Sequence, residues 1–282
     1  MSEDLLLPEP EETNFPANRR EFLGAISAAL LMVNALNVPA GSRPDKKMND
    51  PNNKIDFLKN YPTSLIENAI YLLKGTHEGI TLTRPGLERR TQNAGTLAGY
   101  AVTSVYSTEP DDARGRRETG DYWNYVFSAP GPKIAVSVDA GKEPGTGSSW
   151  GMQNAHIHKG LGCRGVITNG GARDIGVFRE IGLQVFSGFL TAGHGNPHFI
   201  DFGNSVALYG AKINSGDIIC ADEHGAIVVP AEFLPVIEQA VAETLRRIDT
   251  VAQYCQKKDF SPAGLAEVIK KLKPATPWKP VL

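Results

Sequence analysis

The chain has 282 residues, which is enough for one sizeable core but hardly for two large domains. Its 29 basic and 31 acidic residues leave a formal net charge of −2, which indicates no nucleic-acid-binding surface. Three cysteines, Cys163, Cys220 and Cys255, lack metal-ligand spacing, so a thiolate zinc site is not predicted.

The N-terminus has the features of an export signal. Arg19 and Arg20 precede the word Phe22-Leu23-Gly24 and a moderately apolar stretch that ends in small residues near Ala40. This order is typical of the twin-arginine route. The apolar stretch over 22–38 is seventeen residues long and includes serine and asparagine, so it is a poor membrane span. We therefore predict a signal peptide over 1–40, a periplasmic or otherwise exported location, and no stable membrane anchor after signal removal.

A polar, turn-rich stretch over 41–60 is interpreted as a linker, and the folded domain is predicted over 61–250. Its first helix is expected to be capped by Thr63 or Ser64 and to end before Gly75. A strand is expected in the second half of 95–106, then a short aromatic helix over 121–127 and a strand over 133–139.

The stretch 150–186 has the order helix, strand, turn, helix, strand. The predicted elements are a helix over 152–160, a buried strand over 165–168 broken by Gly170-Gly171, a helix from an Asp174 cap through Ile181 with Gly182 as its stop, and a strand from 184. In such a unit the turn lies at the carboxyl end of a strand, where open α/β sheets usually bind ligands.

Arg173 and Asp174 lie on this turn. Taken alone, they also fit a helix cap beside a surface arginine. The loop over 145–151 is rich in glycine and serine and leads into the helix at 152, so its backbone N–H groups could approach an anion at a helix N-terminus. The same composition also fits a flexible loop. If both turns bind ligand, an anion cradle, a guanidinium and a carboxylate share one cleft.

Histidines are weaker candidates for chemistry. His156 and His158 stand two apart on a predicted helix, so their side chains point in different directions. His194 and His198 lie in the glycine- and proline-containing loop over 191–199. Neither pair has helix-face spacing or an evident third ligand, so histidine-bound zinc is not favoured.

The last third of the chain alternates short strands, turns and helices. Strands are expected over 206–212, 218–221 and 226–229, with Asp217 and Asp222 as turn formers. Helices are expected over 230–250 and 262–272. The second belongs to a C-terminal helical tail, residues 251–282, that could dock on a neighbouring subunit.

Three sequence motifs indicate a family resemblance: G-V-I-T-N-G-G-A-R-D at 165–174, R-E-I-G-L-Q-V-F at 179–186, and S-G-D-I-I-C-A-D-E-H-G-A-I-V-V-P at 215–230. They resemble the RraA-like family, which includes ribonuclease E activity regulators and 4-hydroxy-4-methyl-2-oxoglutarate aldolases that also decarboxylate oxaloacetate. The resemblance implies an α/β fold, a swivelling β/β/α-type single domain with a sheet flanked by helices. It also implies a homotrimer or homohexamer with its site near a subunit boundary.

The resemblance implies a lyase that acts on a 2-keto acid through an enolate. The family's aldolases use a divalent metal, Mg²⁺ or Mn²⁺, to lower the energy of that enolate. Carried over to this sequence, Asp174 is the metal ligand and Arg173 is the catalytic residue. The implied substrate-binding residues are Gly151, Met152, Gln153, Asn154 and Arg173.

Two positions depart from the family's acidic pattern. Met152 stands where the aldolases have an acid, and Val177 stands where the pattern has Asp or Glu. Such outer-shell losses commonly lower metal affinity or activity about tenfold to a hundredfold. The carboxylate expected from a neighbouring subunit is not placed by the sequence, with Glu238 and Glu243 as candidates. The alternative is therefore an exported, catalytically weak or inactive RraA-like binding or regulatory protein.

Overall fold

The computed structural model describes residues 51–92, 95–110, 114–273 and 277–280. The predicted signal peptide and the first part of the predicted linker lie outside these residues. Within the described ranges, no helix combines the length and the apolar character needed to cross a membrane.

The described residues form helices packed against a sheet. The helices are α1 (Pro51–Leu58), α2 (Thr63–Lys74), α3 (Thr119–Ser128), α4 (Met152–Gly160), α5 (Ile175–Glu180), α6 (Ile237–Cys255) and α7 (Pro262–Leu272). The strands are β1 (Glu88–Arg89), β2 (Leu97–Ser107), β3 (Lys133–Asp139), β4 (Cys163–Ala172), β5 (Gln184–Leu190), β6 (His198–Phe202), β7 (Val206–Leu208), β8 (Ala211–Ile213), β9 (Ile218–Asp222) and β10 (Gly225–Val229).

Within the described residues, eight strands form one sheet in the order β1-β5-β4-β3-β2-β9-β10, with β6 paired to β2. Strands β2, β3, β4 and β5 are parallel neighbours, whereas β1, β6, β9 and β10 run antiparallel to theirs. Strands β7 and β8 form a separate hairpin. This arrangement confirms the predicted α/β fold with a sheet flanked by helices.

The parallel strands are apolar on both faces because both faces are covered, one by helices and the other by the β7–β8 hairpin. Helices α1, α2 and α6 pack over β9 and β10, where Ile55, Ile66 and Ile237 are fully buried. Helices α4 and α5 cover the same face of the sheet over β3, β4 and β5, where Trp150 and Phe178 are fully buried. Each such side chain contributes roughly 1.5–3 kcal/mol by leaving water. The α4 and α5 layer fixes the loops at the carboxyl ends of β3 and β4.

The predicted linker is wrong over 51–58, where α1 forms because Ile55 and Leu58 share one helix face and are fully buried. The predicted cap of α2 is also wrong. Pro62 occupies the N-cap position, and Thr63 instead donates its backbone N–H and its hydroxyl to Asp222, both at 2.6 Å. Gly75 ends α2 in the left-handed conformation, as predicted.

Two predicted elements near the C-terminus are divided in the structure. The strand expected over 206–212 is the β7–β8 hairpin, because Tyr209 and Gly210 turn the chain with φ values of 45° and 81°. The helix expected over 230–250 begins only at Ile237, since Ala231–Phe233 forms a short 3₁₀ turn after Pro230.

His158 of α4 is a core residue. Its Nδ1 lies 2.8 Å from the carbonyl oxygen of Asn154, and its Nε2 lies 2.8 Å from the hydroxyl of Tyr122. Because a carbonyl only accepts, Nδ1 carries the hydrogen and the Tyr122 hydroxyl donates to Nε2. Burial lowers the pKa of His158 to about 4. The side chain therefore anchors α4 in its neutral form.

We expect the protein to lose stability in mild acid through His158. The unfolded chain binds the proton near pH 6.5 and the folded chain near pH 4, so the free energy of unfolding falls by roughly 3 kcal/mol over that window. Urea unfolding between pH 7 and pH 4 measures the effect. A His158→Gln variant should show a smaller pH dependence, whereas His156→Gln, at an exposed position of the same helix, should keep the wild-type dependence. Equal pH dependence in all three proteins would contradict the assignment of this stability loss to His158.

Candidate functional site

Three loops meet at the carboxyl ends of β3, β4 and β5. They are the loop over 145–151, the turn at 173–174 and the loop over 191–195. Backbone hydrogen bonds join them: Arg173 N to Trp150 O at 2.9 Å, Thr191 N to Ala172 O at 3.1 Å, and Ser148 N to His194 O at 3.1 Å. The sequence-predicted turns therefore form one rim at the expected edge of the sheet.

The prediction that Gly170-Gly171 breaks the strand is wrong, because β4 continues to Ala172. These glycines serve close packing instead. A Cβ on Gly170 would lie 2.1 Å from the Tyr106 hydroxyl, and one on Gly171 would lie 2.9 Å from the carbonyl oxygen of Gly147. The strand register shifts over this stretch, which brings β4 against the loop over 145–151.

Asp139 anchors the start of this loop. It is buried at the end of β3, where Oδ1 accepts from Gly141 N and Oδ2 accepts from Gly145 N, both at 3.0 Å. Burial raises the pKa of Asp139 and outweighs these hydrogen bonds, which act in the opposite direction. In the sequence, Asp139 is predicted only as the end of a strand, because nothing local indicates this anchoring role.

The rim encloses a small pocket of about 60 Å³, which we call the Arg173 pocket. It is lined by Ser148, Ser149, Gly151, Met152, Gln153, Asn154, Arg173 and His194. All five residues predicted to bind substrate are therefore brought together, and none of the described lining residues is acidic. The structure adds two serines from the predicted anion cradle and His194.

Arg173 lies across the backbone of Gly151. A Cβ on Gly151 would be 2.9 Å from the Arg173 Nε, so the close approach requires glycine. Within the described residues this Nε is buried and has no hydrogen-bond partner, and Nη1 reaches the carbonyl oxygen of Ala192 at 3.4 Å. A guanidinium presents several N–H donors in one plane, so Arg173 retains donors for a ligand carboxylate.

The sequence predicts that the Asp174 side chain caps α5, and this prediction is wrong. Asp174 occupies the N-cap position in the left-handed conformation, with φ 58° and ψ 38°, and its carboxylate turns to α4 instead. Oδ2 accepts from Met152 N at 2.9 Å and lies 3.8 Å from the Arg173 Nε. Asp174 therefore joins the turn after β4 to the first turn of α4.

This contact changes which groups can bind substrate. The Met152 N–H, one of the backbone groups assigned to a distal carboxylate, already donates to Asp174. Gln153 and Asn154 follow in the first turn of α4, where backbone N–H groups have no acceptor within the helix. These two positions therefore provide the N–H groups for an anion at this helix end.

The donor set at the pocket fits one class of metal better than others. Within the described residues, no group of three or more His, Cys, Asp or Glu side chains could hold a metal ion. Magnesium needs fewer protein ligands, because waters and substrate oxygens complete its six positions. Asp174 can supply one carboxylate oxygen, since Oδ2 is bonded to Met152 and Oδ1 makes no hydrogen bond among the described residues. The residues present therefore fit a magnesium-type site and not a histidine–zinc site.

The two positions that lack acids behave differently. The Met152 side chain is 52% exposed and lines the Arg173 pocket, so it occupies space where an acid would face ligand. Val177 lies one turn into α5 and is not among the lining residues. Only the Met152 substitution directly changes the pocket surface.

His194 is a pocket residue that the sequence does not predict. Its residue type suggests only one half of a weak metal-binding pair, whereas it lines the pocket and its Nδ1 lies 3.1 Å from the carbonyl oxygen of Gly195. His198 is buried on β6 and bonds to the carbonyl oxygen of Asn196 at 2.8 Å. The position of 191–195 directly after the parallel strand β5 is a sequence signal that favours placing His194 at the rim.

Glu243, a candidate for the shared carboxylate, is engaged within its own chain. Hydrogen bonds from Arg246 and Arg247 lower the pKa of Glu243 to about 2. This pairing does not favour Glu243 as a free ligand for a neighbouring site.

Comparison with family models identifies one family. A family model described as RraA-like, Aldolase/RraA, matches residues 73–228. Protein DlpA of Legionella pneumophila is 26% identical over 122 residues, which cover 42% of this chain and 20% of DlpA. The chain thus spans about a fifth of the length of that curated relative.

Solved structures share the fold at low sequence identity. A protein from Pseudomonas syringae aligns with a TM-score of 0.60 at 19% identity, over 84% of this chain and 99% of that chain. Streptomyces coelicolor RraAS2, an unusual member of the RNase ES inhibitor RraA family, aligns with a TM-score of 0.54 at 17% identity, over 77% of this chain and 100% of that chain. At these identities the likeness shows the fold alone.

Proposed function

Because the chain belongs to the RraA-like family, we propose that it is a metal-dependent lyase that cleaves a C–C bond of a 2-keto acid. The proposal rests on one observation: Arg173 and the first turn of α4 line the same pocket, and the Asp174 carboxylate contacts both of them. Such a convergence of a guanidinium, a carboxylate and helix N–H groups suits an anionic substrate whose charge moves during reaction.

Arg173 binds the carboxylate beside the keto group in this proposal. Its planar donors can make two parallel hydrogen bonds, which fix the orientation of a carboxylate as well as its position. About a third of the Arg173 side chain is exposed, so water only partly screens its attraction to the substrate carboxylate. The backbone N–H groups of Gln153 and Asn154 hold a second carboxylate at the positive end of α4.

Asp174 is the proposed metal ligand, and its position is fixed by the bond from Met152 N. A divalent cation such as Mg²⁺ or Mn²⁺ would supply Lewis-acid stabilisation of the enolate charge. The left-handed backbone at Asp174 keeps its carboxylate beside the Arg173 guanidinium. The chain thereby keeps the ligand and the substrate clamp on two adjacent residues.

A second candidate is an exported binding protein that uses the same pocket without turnover. It is favoured by the lack of acidic side chains among the described lining residues and by Met152 at a position that is acidic in the family's aldolases. Substrate binding in this case needs Arg173 and α4 but no proton-transfer group.

An assay of pyruvate release distinguishes the two candidates. Wild-type protein is mixed with oxaloacetate or a 4-hydroxy-2-keto acid, in Mg²⁺, in Mn²⁺ and in a chelator. Metal-dependent turnover above the rate of metal alone supports the lyase. Tight binding of a 2-keto acid without turnover supports the binding protein. If the protein shows no binding and no turnover at millimolar ligand, both candidates are excluded.

Restoring the lost acid through Met152→Asp is expected to raise turnover about tenfold to a hundredfold, because an outer-shell carboxylate orients metal-bound water and moves protons. An acid in the first turn of α4 also suits the helix dipole. The matched control is Met152→Leu, which keeps an apolar side chain and should leave the rate unchanged. An unchanged or lower rate in the aspartate variant would show that the methionine is not the limiting change.

A further inference from the structure

A second and larger pocket lies at the opposite end of the sheet. Its volume is about 400 Å³, and we call it the basic pocket because Lys59, Lys159, Arg164 and Arg179 line it and no described lining residue is acidic. We propose that the basic pocket binds a phosphorylated small molecule of nucleotide size. This proposal is independent of the lyase assignment.

The basic pocket is separated from the Arg173 pocket by about the length of α4. It lies at the amino ends of β4 and β5, beside Arg164 and Gln184, and at the C-terminal ends of α4 and α5, beside Lys159 and Arg179. Met152 and Lys159 are seven residues apart on α4, which corresponds to about 10 Å. A ligand here therefore does not share the lyase pocket.

The charges at the basic pocket exceed what its own acids neutralise. Asp56 lies 2.6 Å from Arg164 and 3.1 Å from Lys59, so one carboxylate is shared by two cations. Lys159 and Arg179 contact carbonyl oxygens, of Gly182 at 3.1 Å and of Arg90 at 3.3 Å. In the described residues these two cations make no ion pair.

A purely structural role accounts for part of this charge. Lys159 and Arg179 lie in the last turns of α4 and α5, where a cation complements the helix dipole. Lys59 directly follows α1, where the dipole has the same effect, but Arg164 lies on β4 and lines the same space. In a chain of net charge −2, four cations from four segments around one pocket indicate an anion.

The pocket has polar edges above a buried apolar layer. Leu97, Phe178 and Leu183 are at most 1% exposed and lie beneath the pocket, while Thr96 and Gln184 supply hydrogen-bonding groups. Lysine and arginine are the usual partners of phosphate, and the plane of a guanidinium also stacks on a flat ring. The volume lies within the range of sites for drug-sized ligands. A nucleoside phosphate fits these features, with phosphates on the cations and its base stacked on an arginine.

Calorimetric titration of the full chain with three probes tests the proposal. ADP, inorganic phosphate and adenosine are compared at fixed ionic strength in chelator. We expect ADP to bind at least tenfold more tightly than either part alone. Absence of ADP binding at millimolar concentration, or equal affinity for ADP and phosphate, would overturn the proposal.

Variants locate the binding. The Lys159→Gln/Arg179→Gln double variant should weaken ADP binding at least tenfold, because both unpaired cations are removed. The control Lys212→Gln/Lys270→Gln removes the same charge from exposed positions elsewhere and should bind ADP like wild type. If the first variant unfolds, Gln184→Glu provides a second test, since an anion at the edge should repel phosphate to a similar degree. Equal loss in test and control variants would overturn the assignment.

Discussion

Arg173→Lys is expected to lower kcat/KM for a 2-keto acid by about 10²- to 10³-fold, the usual effect of removing one donor that stabilises reaction charge. Lysine keeps the positive charge but loses the planar pair of donors that orients a carboxylate. The Arg173 Nε lies on Gly151 and within 3.8 Å of Asp174, and a shorter ammonium cannot reproduce both relations. Steady-state kinetics with oxaloacetate measure the change.

Arg246→Lys is the matched control for this experiment. Arg246 is 59% exposed and pairs with Glu243 on α6, so its replacement should change kcat/KM by less than twofold. The Arg173 variant should unfold at a temperature close to wild type, because its side chain is not part of a core cluster. Loss of activity below threefold in the Arg173 variant would contradict a role in binding the reacting carboxylate.

Asp222→Ala is expected to lower the free energy of unfolding by about 3–5 kcal/mol, because buried hydrogen-bond donors would lose their acceptor. Asp222 is 3% exposed at the end of β9. It accepts from the backbone and hydroxyl of Thr63 at 2.6 Å each and from His224 N at 2.9 Å. These bonds join α2 to the sheet.

Urea unfolding measures this loss, and Asp217→Ala is the control. Asp217 also accepts a backbone N–H, from Asn214 at 2.7 Å, but on an exposed turn, so its loss should be about 1 kcal/mol or less. Equal losses in the two variants would contradict the claim that the buried hydrogen bonds of Asp222 stabilise the fold more than the exposed one of Asp217.

Low pH should remove the stabilisation by the Asp222 carboxylate in the wild-type protein as well. Burial raises the pKa of Asp222, but the hydrogen bonds from Thr63 and His224 outweigh it and hold the pKa below its ordinary value. A lowered folded-state pKa gives stability that is present above the unfolded pKa of about 4 and is lost as the pH falls through the folded pKa. The difference in unfolding free energy between wild type and Asp222→Ala should therefore shrink below about pH 4.

Local patterns in the sequence were sufficient for the central elements of the fold. The helix over 152–160, the strand over 133–139 and the helix over 262–272 match α4, β3 and α7, because apolar spacing and glycine or proline boundaries are local signals. The carboxyl-end placement of Arg173 followed from the order of the elements. The order of the strands and helices is therefore enough to predict which edge of the sheet carries the Arg173 pocket.

Contacts between distant segments were not predictable in this way. Thr63 and Asp174 both have the residue type of a helix cap, yet their side chains bind Asp222 and Met152. Gly170 was interpreted as a strand breaker because the sequence does not show that the Tyr106 hydroxyl approaches it. In each case a tertiary partner replaced the local role that the residue type suggested.

The basic pocket shows the same limit for function. Its four cations come from separate segments of the chain. His194 likewise became a pocket residue only when the loop over 191–195 was placed beside Ser148. Charge that is dispersed along a chain gives no sign of a pocket until the fold brings it together.

The most direct test of the lyase proposal is binding of Mn²⁺ to Asp174, measured by electron paramagnetic resonance. Wild-type protein should bind one Mn²⁺ per chain, and Asp174→Ala should bind none, while its unfolding free energy falls by only about 1 kcal/mol through loss of the cap on α4. Asp217→Ala should bind like wild type. Failure of the wild type to bind at millimolar Mn²⁺, or equal binding by Asp174→Ala, would contradict the proposed metal site.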